Sequence, residues 1–237
     1  MKMLKNVLKI IAVFIIGTVG GIFADQILWP YFIERPLFYR YRLEQAPINQ
    51  YITKEVIIQE NTALTDAIEK VERSVVGIKS VLRTGKELEG SGLIVTRDGL
   101  IITLTDLVPE GWENFVFLGS EKIETKVLQK KENLALLKVE KTNLSPVGFA
   151  DFGKIKLGER VFLVGVTQPP SGGWVVNQGI IKTFNEENLK TNMFDETVLN
   201  GSSLFNIEGQ LVGLATVDKY GRVSAISIKK IRDFLQF

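Results

Sequence analysis

"GSGLIVTRDGLIITLTDLV", residues 90–108, holds two short β-branched runs separated by Asp98-Gly99. The same rhythm continues on both sides in "SVVGIKS" (74–80), "NFVFLGS" (114–120), "LALLKVE" (134–140), "RVFLVGV" (160–166), "WVVNQGIIKTF" (174–184), "SLFNIEGQLVGLATVD" (203–218) and "RVSAISI" (222–228). Runs of this length, punctuated by Gly, Asn, Asp and Pro and without intervening amphipathic helices, predict an all-β sandwich or barrel rather than an α/β sheet. "KTNLSPVGFADFGKIKLGERV" (141–161), with Pro146 and several glycines, breaks the rhythm between two halves of similar length. Two barrels are therefore expected, at about 75–140 and 155–226, with this stretch as their linker. "NTALTDAIEKVERS" (61–74) places Leu64, Ala67, Ile68 and Val71 on one helical face, with Asn61 or Thr62 as N-cap. "SIKKIRDFLQF" (227–237) predicts a closing helix, with Ile228, Ile231, Phe234 and Leu235 at helical spacing after a Ser227 cap.

With 237 residues, 45% of them hydrophobic, the chain can bury one sizeable core or two small ones. Its 29 basic and 27 acidic side chains are interspersed and leave a net charge of +2, so no basic face points to nucleic acid. Cysteine is absent, which removes disulfides, thiol nucleophiles and zinc–thiolate sites. Histidine is absent too, which removes the commonest general base near neutral pH and the commonest metal-binding imidazole. No metal and no cofactor are expected.

"NVLKIIAVFIIGTVGGIFADQILWPYF" (6–32) is uncharged from Ile10 to Ala24; Val7 and Leu8 before it and 27–32 after it bring it to the roughly 20 residues a bilayer core requires. A retained anchor over 1–33 is expected, with Trp29, Tyr31 and Phe32 at the far interface. A cleaved signal peptide also fits a Lys-rich start and an apolar core, but Ile22-Phe23-Ala24 is a poor cleavage site. Lys2, Lys5 and Lys9 put the N-terminus in the cytoplasm and the body outside it, although Arg35, Arg40 and Arg42 weaken the asymmetry. Gly17 and Gly21 form a small-xxx-small spacing that suits helix pairing. Residues 34–60, with Pro36, Pro47 and mixed charge, read as a connector.

Three stretches resemble the HtrA/Deg family of trypsin-like serine proteases. "GSGLIVTRDGLIITLTDLV" (90–108) is similar to the family's Gly-Ser-Gly strand, Asp-Gly turn and Leu-Thr-Asn-x-His-Val element; Thr103 matches the threonine and the histidine position falls on Asp106. "ENLALLKVE" (132–140) is similar to Asp-Leu-Ala-Leu-Leu-Lys-Val, and the aspartate position falls on Asn133. "KTNMFDETVLNGSSLFN" (190–206) is similar to the Gly-Asn-Ser-Gly-Gly-Pro-Leu-Phe-Asn nucleophile loop, and the serine falls on Asn200. "LGERVFLVGV" (157–166) and "GQLVGLATVD" (209–218) extend the likeness over about 61–237. The resemblance implies an all-β, trypsin-like double β-barrel with a short N-terminal helix, a C-terminal helix and the transmembrane helix before them. The chain ends at Phe237, so no PDZ domain is expected after the barrels.

In such proteases a hydroxyl attacks, histidine takes its proton, aspartate orients the imidazole and backbone amides hold the oxyanion. The resemblance places Asp106, Asn133 and Asn200 at all three side-chain positions and Val198, before Gly201, at a glycine of the oxyanion loop. Asn133 can donate its amide to Asp106 without the repulsion of a second carboxylate. The expectation is a degenerate homologue that is not an enzyme, binding protein or peptide by strand addition along the cleft. A homotrimer, or a mixed oligomer with an active relative, is implied with it. The alternative is a serine-type endopeptidase whose nucleophile has shifted to Ser202 or Ser203. Ser91 is expected in a strand turn, and "QPPSGGW" (168–174) as a Pro-Gly surface loop or a recognition loop anchored by Trp174.

Overall fold

A computed structural model of the chain describes residues 2–26, 60–169 and 173–236. The chain divides into two compact units, Met1–Ile57 and Ile58–Phe237. In the first, helix α1 spans Lys2–Phe23, and its apolar side chains are exposed. Met3–Gln26 is long and apolar enough to cross a membrane. The expected interface residues Trp29, Tyr31 and Phe32, and the connector up to residue 59, lie outside the described residues.

The second unit opens with α2, Glu60–Val71, running on into a 3₁₀ turn at Glu72–Ser74. Asn61 and Thr62 lie inside its first turn, which corrects the expectation that one of them is the cap. Ala67 and Val71 are buried, and Lys70 Nζ donates to the Glu208 carbonyl at 2.7 Å. Seven antiparallel strands follow: β1 (Val75–Val81), β2 (Glu87–Ile94), β3 (Leu100–Leu104), β4 (Glu113–Leu118), β5 (Glu121–Glu124), β6 (Lys126–Lys131) and β7 (Leu134–Lys138). Their order is β5-β4-β1-β2-β3-β7-β6. The hydrogen-bonded ladder is thus an open half-barrel, the first of the two barrels expected. Its two edge strands are joined at Thr125, whose N–H donates to Asn114 O at 3.0 Å and whose hydroxyl donates to Lys138 O at 2.9 Å. One residue therefore stitches both ends of the sheet, and chain continuity closes what the ladder leaves open.

Strands β8 (Arg160–Val166), β9 (Trp174–Phe184), β10 (Asn188–Phe194), β11 (Ser203–Asn206), β12 (Leu211–Val217) and β13 (Arg222–Ser227) form a closed barrel in the order β10-β13-β12-β11-β8-β9. The stretch expected as a linker is docked on it: Phe149 forms a parallel bridge with Leu211, with Ala150 N–H donating to Leu211 O and Leu211 N–H to Gly148 O, each at 2.9 Å. Helix α3 (Ile228–Leu235) starts where the Ser227 hydroxyl accepts from Lys229 N–H at 3.1 Å; Ile228, Ile231 and Phe234 are buried and Leu235 partly so. The two sheets meet along β1, β2 and β8, where a Cβ on Gly77 would come within 3.0–3.3 Å of Pro169 and Val166 side-chain atoms. β1, β2 and β8 are accordingly buried over runs of consecutive residues instead of alternating, because both of their faces are covered there.

Candidate active site

At the seam between the sheets, three turns converge. Asp106 sits in the 3₁₀ turn Thr105–Leu107 after β3, Asn133 just before β7, and Asn200 just after the 3₁₀ turn Thr197–Leu199. Thr105 ties the first two together: its N–H donates to Asn133 O and its hydroxyl to Glu132 O, each at 3.0 Å. Leu107, buried, ties the first to the third. A Cβ on Gly90 would lie 2.6 Å from Leu107 Cδ1 and 2.7 Å from Asn200 O, and one on Gly201 would lie 2.8 Å from Leu107 Cδ1. Both glycines are therefore needed for the close approach.

Asp106 and Asn133 are exposed, and among the described residues no hydrogen bond joins them. Asn133 is held through its backbone carbonyl, so the expected amide-to-carboxylate pairing is not formed. Beside it, Lys230 of α3 forms ion pairs with Glu132 and with Glu187. The Lys230 ammonium holds the Glu132 carboxyl below its ordinary range, and the two carboxylates, Glu132 first, hold Lys230 above its own.

The Asn200 turn spends its amides internally. Leu199 N–H donates to Glu196 O at 3.0 Å, Asn200 N–H to Thr197 O at 3.0 Å, Gly201 N–H to Ala215 O at 3.0 Å and Ser202 N–H to Leu199 O at 3.1 Å. None of these four is left for an oxyanion in this conformation. The half-buried Asn200 side chain turns to the barrel, where its Oδ1 accepts from Val217 N–H at 2.7 Å.

Ser202 and Ser203 are both fully buried. Among the described residues, Ser202 Oγ reaches Ser91 Oγ alone, at 3.4 Å, and Ser203 Oγ has no partner. No lysine is among the partners of either hydroxyl in the described residues. Ser91 is not in a turn: it sits within β2, opposite Gly77 of β1. Its N–H donates to Asn200 O at 3.0 Å, its hydroxyl accepts from Val166 N–H of β8 at 2.8 Å, and its carbonyl accepts from Thr103 Oγ1 at 2.7 Å. Trp174 opens β9 and is 46% exposed; residues 170–172 of its loop lie outside the described residues. Val217 and Leu107, which complete the site, carry no local signal, because their roles come from register and from packing between distant strands.

Residues 90–214 match the family described as trypsin-like peptidase domain. A probable periplasmic serine endoprotease DegP-like of Hahella chejuensis is 32% identical over 136 residues, covering 53% of this chain and 29% of that protein. Serine protease HTRA4 of Mus musculus is 31% identical over 192 residues, covering 71% of this chain and 39% of that protein. The chain thus spans well under half the length of these curated relatives. The crystal structure of Deg5 superposes with a TM-score of 0.65 at 18% identity, over 74% of this chain and 93% of Deg5. A serine endoprotease from Yersinia pestis does so at 0.66 and 22%, over 73% of this chain and 65% of that one. The relatives correct the expectation that the chain is not an enzyme, since both curated proteins are named serine proteases and the matching family is a peptidase domain.

Proposed function

The chain is an HtrA-like member of the trypsin-like peptidase domain family, and from that premise we propose that it engages extended protein or peptide segments at the seam where the Asp106, Asn133 and Asn200 turns converge. The observation that carries this is the end of β12. β11 begins at Ser203, opposite Leu214, so Ala215–Val217 run past it, and at Val217 the backbone N–H is taken by a side chain, Asn200 Oδ1. A strand edge of this kind takes an extended polypeptide by main-chain hydrogen bonds, which need no triad. α1 anchors the domain to a membrane, with the domain on the extracytoplasmic side, and the assembly is a homotrimer or a mixed oligomer with an active relative.

A second reading is favoured by the relatives' names. Serine-type hydrolysis in this chain runs on a displaced hydroxyl, Ser202 or Ser203, and requires the Thr197–Gly201 turn to open, because both hydroxyls are covered. The test uses the full chain in detergent with fluorescein-labelled β-casein, an unfolded polypeptide, and a fluorophosphonate label. Binding of casein supports the first reading, and its absence overturns it. Turnover and labelling that vanish on Ser202→Ala or Ser203→Ala establish the second and name the nucleophile; absence of both in the wild type overturns it. Cross-linking in the native membrane reads the assembly, and recovery of the monomer alone sinks that part.

A further inference from the structure

Asn200 stands where the resemblance places a nucleophile, yet its carboxamide reaches neither the Asp106 turn nor the Asn133 turn. It closes the Val217 edge of β12. On that edge Ala215 is paired twice with backbone, donating to Ser202 O at 2.7 Å and accepting from Gly201 N–H at 3.0 Å. Two residues on, Val217 presents its N–H and C=O in the same direction, because alternate residues of a strand face the same neighbour. No backbone donor or acceptor of the Asn200 turn reaches Val217 among the described residues; Asn200 Oδ1 takes its N–H at 2.7 Å. A side-chain amide carries the same carbonyl and N–H as a peptide unit. The residue holding it there is half-buried, and it is held to Val217 by its side chain and not by its backbone.

The geometry points to Asn200 as a latch: its carboxamide stands in for the peptide group of an incoming polypeptide, and swinging it away opens a docking position at Val217. This rests on the polypeptide-binding reading and adds its regulation. An incoming strand places a carbonyl on Val217 N–H and an N–H on Val217 C=O, continuing the ladder that Gly201 and Ser202 make with Ala215. The latch competes with that strand for a single donor, so apparent affinity is reduced by the fraction of time it is closed. Asn200 is here a gating residue and holds no reacting atom.

Hydrogen exchange at the Val217 amide in the free protein reads the latch without any ligand. In Asn200→Ala the amide loses its acceptor, and its exchange is expected to quicken at least about fivefold, with the neighbouring Ala215 amide unchanged. Asn200→Asp retains an acceptor oxygen and is expected to exchange as slowly as the wild type. Binding of fluorescein-labelled β-casein to the full chain in detergent is expected to tighten about three- to tenfold in Asn200→Ala, the range of one net hydrogen bond, and not to tighten in Asn200→Asp. Unchanged Val217 exchange in Asn200→Ala, or casein affinity that stays level or weakens, overturns the latch. Quickened exchange with no casein binding by any of the three proteins overturns instead the polypeptide-binding reading beneath it.

Discussion

Gly201 adopts φ +78°, and a Cβ there would lie 2.2 Å from Ser91 O. Both the left-handed backbone and the contact exclude a side chain, so Gly201→Ala is expected to cost about 2–4 kcal/mol, read as a lower denaturation midpoint by tryptophan fluorescence. Ser91 works by the opposite principle: it is buried, and its hydroxyl supplies the acceptor for Val166 N–H across the seam. Ser91→Ala leaves that donor unsatisfied, and the expected loss is about 1–3 kcal/mol in the same measurement. A merely local turn residue would give close to zero. Asn200 is half-buried, and its replacement by alanine removes the Oδ1 acceptor of Val217 N–H.

Among the elements, α3 shows how a cap and a stripe act together. Ser227→Ala removes the hydroxyl that accepts from Lys229 N–H, with an expected cost of about 1 kcal/mol in chemical denaturation. The same helix brings Lys230 to Glu132 and Glu187, joining α3, the turn before β7 and the turn between β9 and β10. Glu132 is lowered from 4.5, so its contribution is present above that value and is lost as pH falls through the lower folded value. Lys230 is raised from 10.5, so its contribution is present below that value and is lost as pH rises through the higher folded one. Lys230→Met is therefore expected to flatten the melting temperature against pH at both edges of that window, and an unaltered profile would refute the linkage. α3 and β9 are legible in sequence because their patterns are strong and local. β5, β6 and β10 are not. β5 and β6 expose most of their side chains, and β10 buries Leu189, Thr191 and Met193 in alternation with polar residues, so its inward face contains a threonine and its apolar signal is weak.

For the molecule as a whole, α1 lies in a separate unit and has exposed apolar side chains. Deletion of residues 2–26 is expected to move the protein from a carbonate-resistant membrane fraction to the soluble one while the barrel unit keeps its unfolding transition; retention in the membrane would sink the anchor. The sequence by itself determined the strand rhythm, the two-part body, the Ser227 cap and the missing imidazole, because each depends on residue identity or on spacing within a few positions. Only the tertiary structure decided that the first sheet closes through Thr125 rather than through a ladder, that the 141–161 stretch packs on the second barrel, and that Ser91 joins β2 to β8. It alone decided, too, that Asn200 faces Val217 and not the Asp106 turn. Ser91 and Val166 are 75 residues apart, and Asn200 meets Val217 only because β11 begins where it does. Contacts of this kind are set by strand register and by packing between sheets, and no local pattern in the chain encodes them.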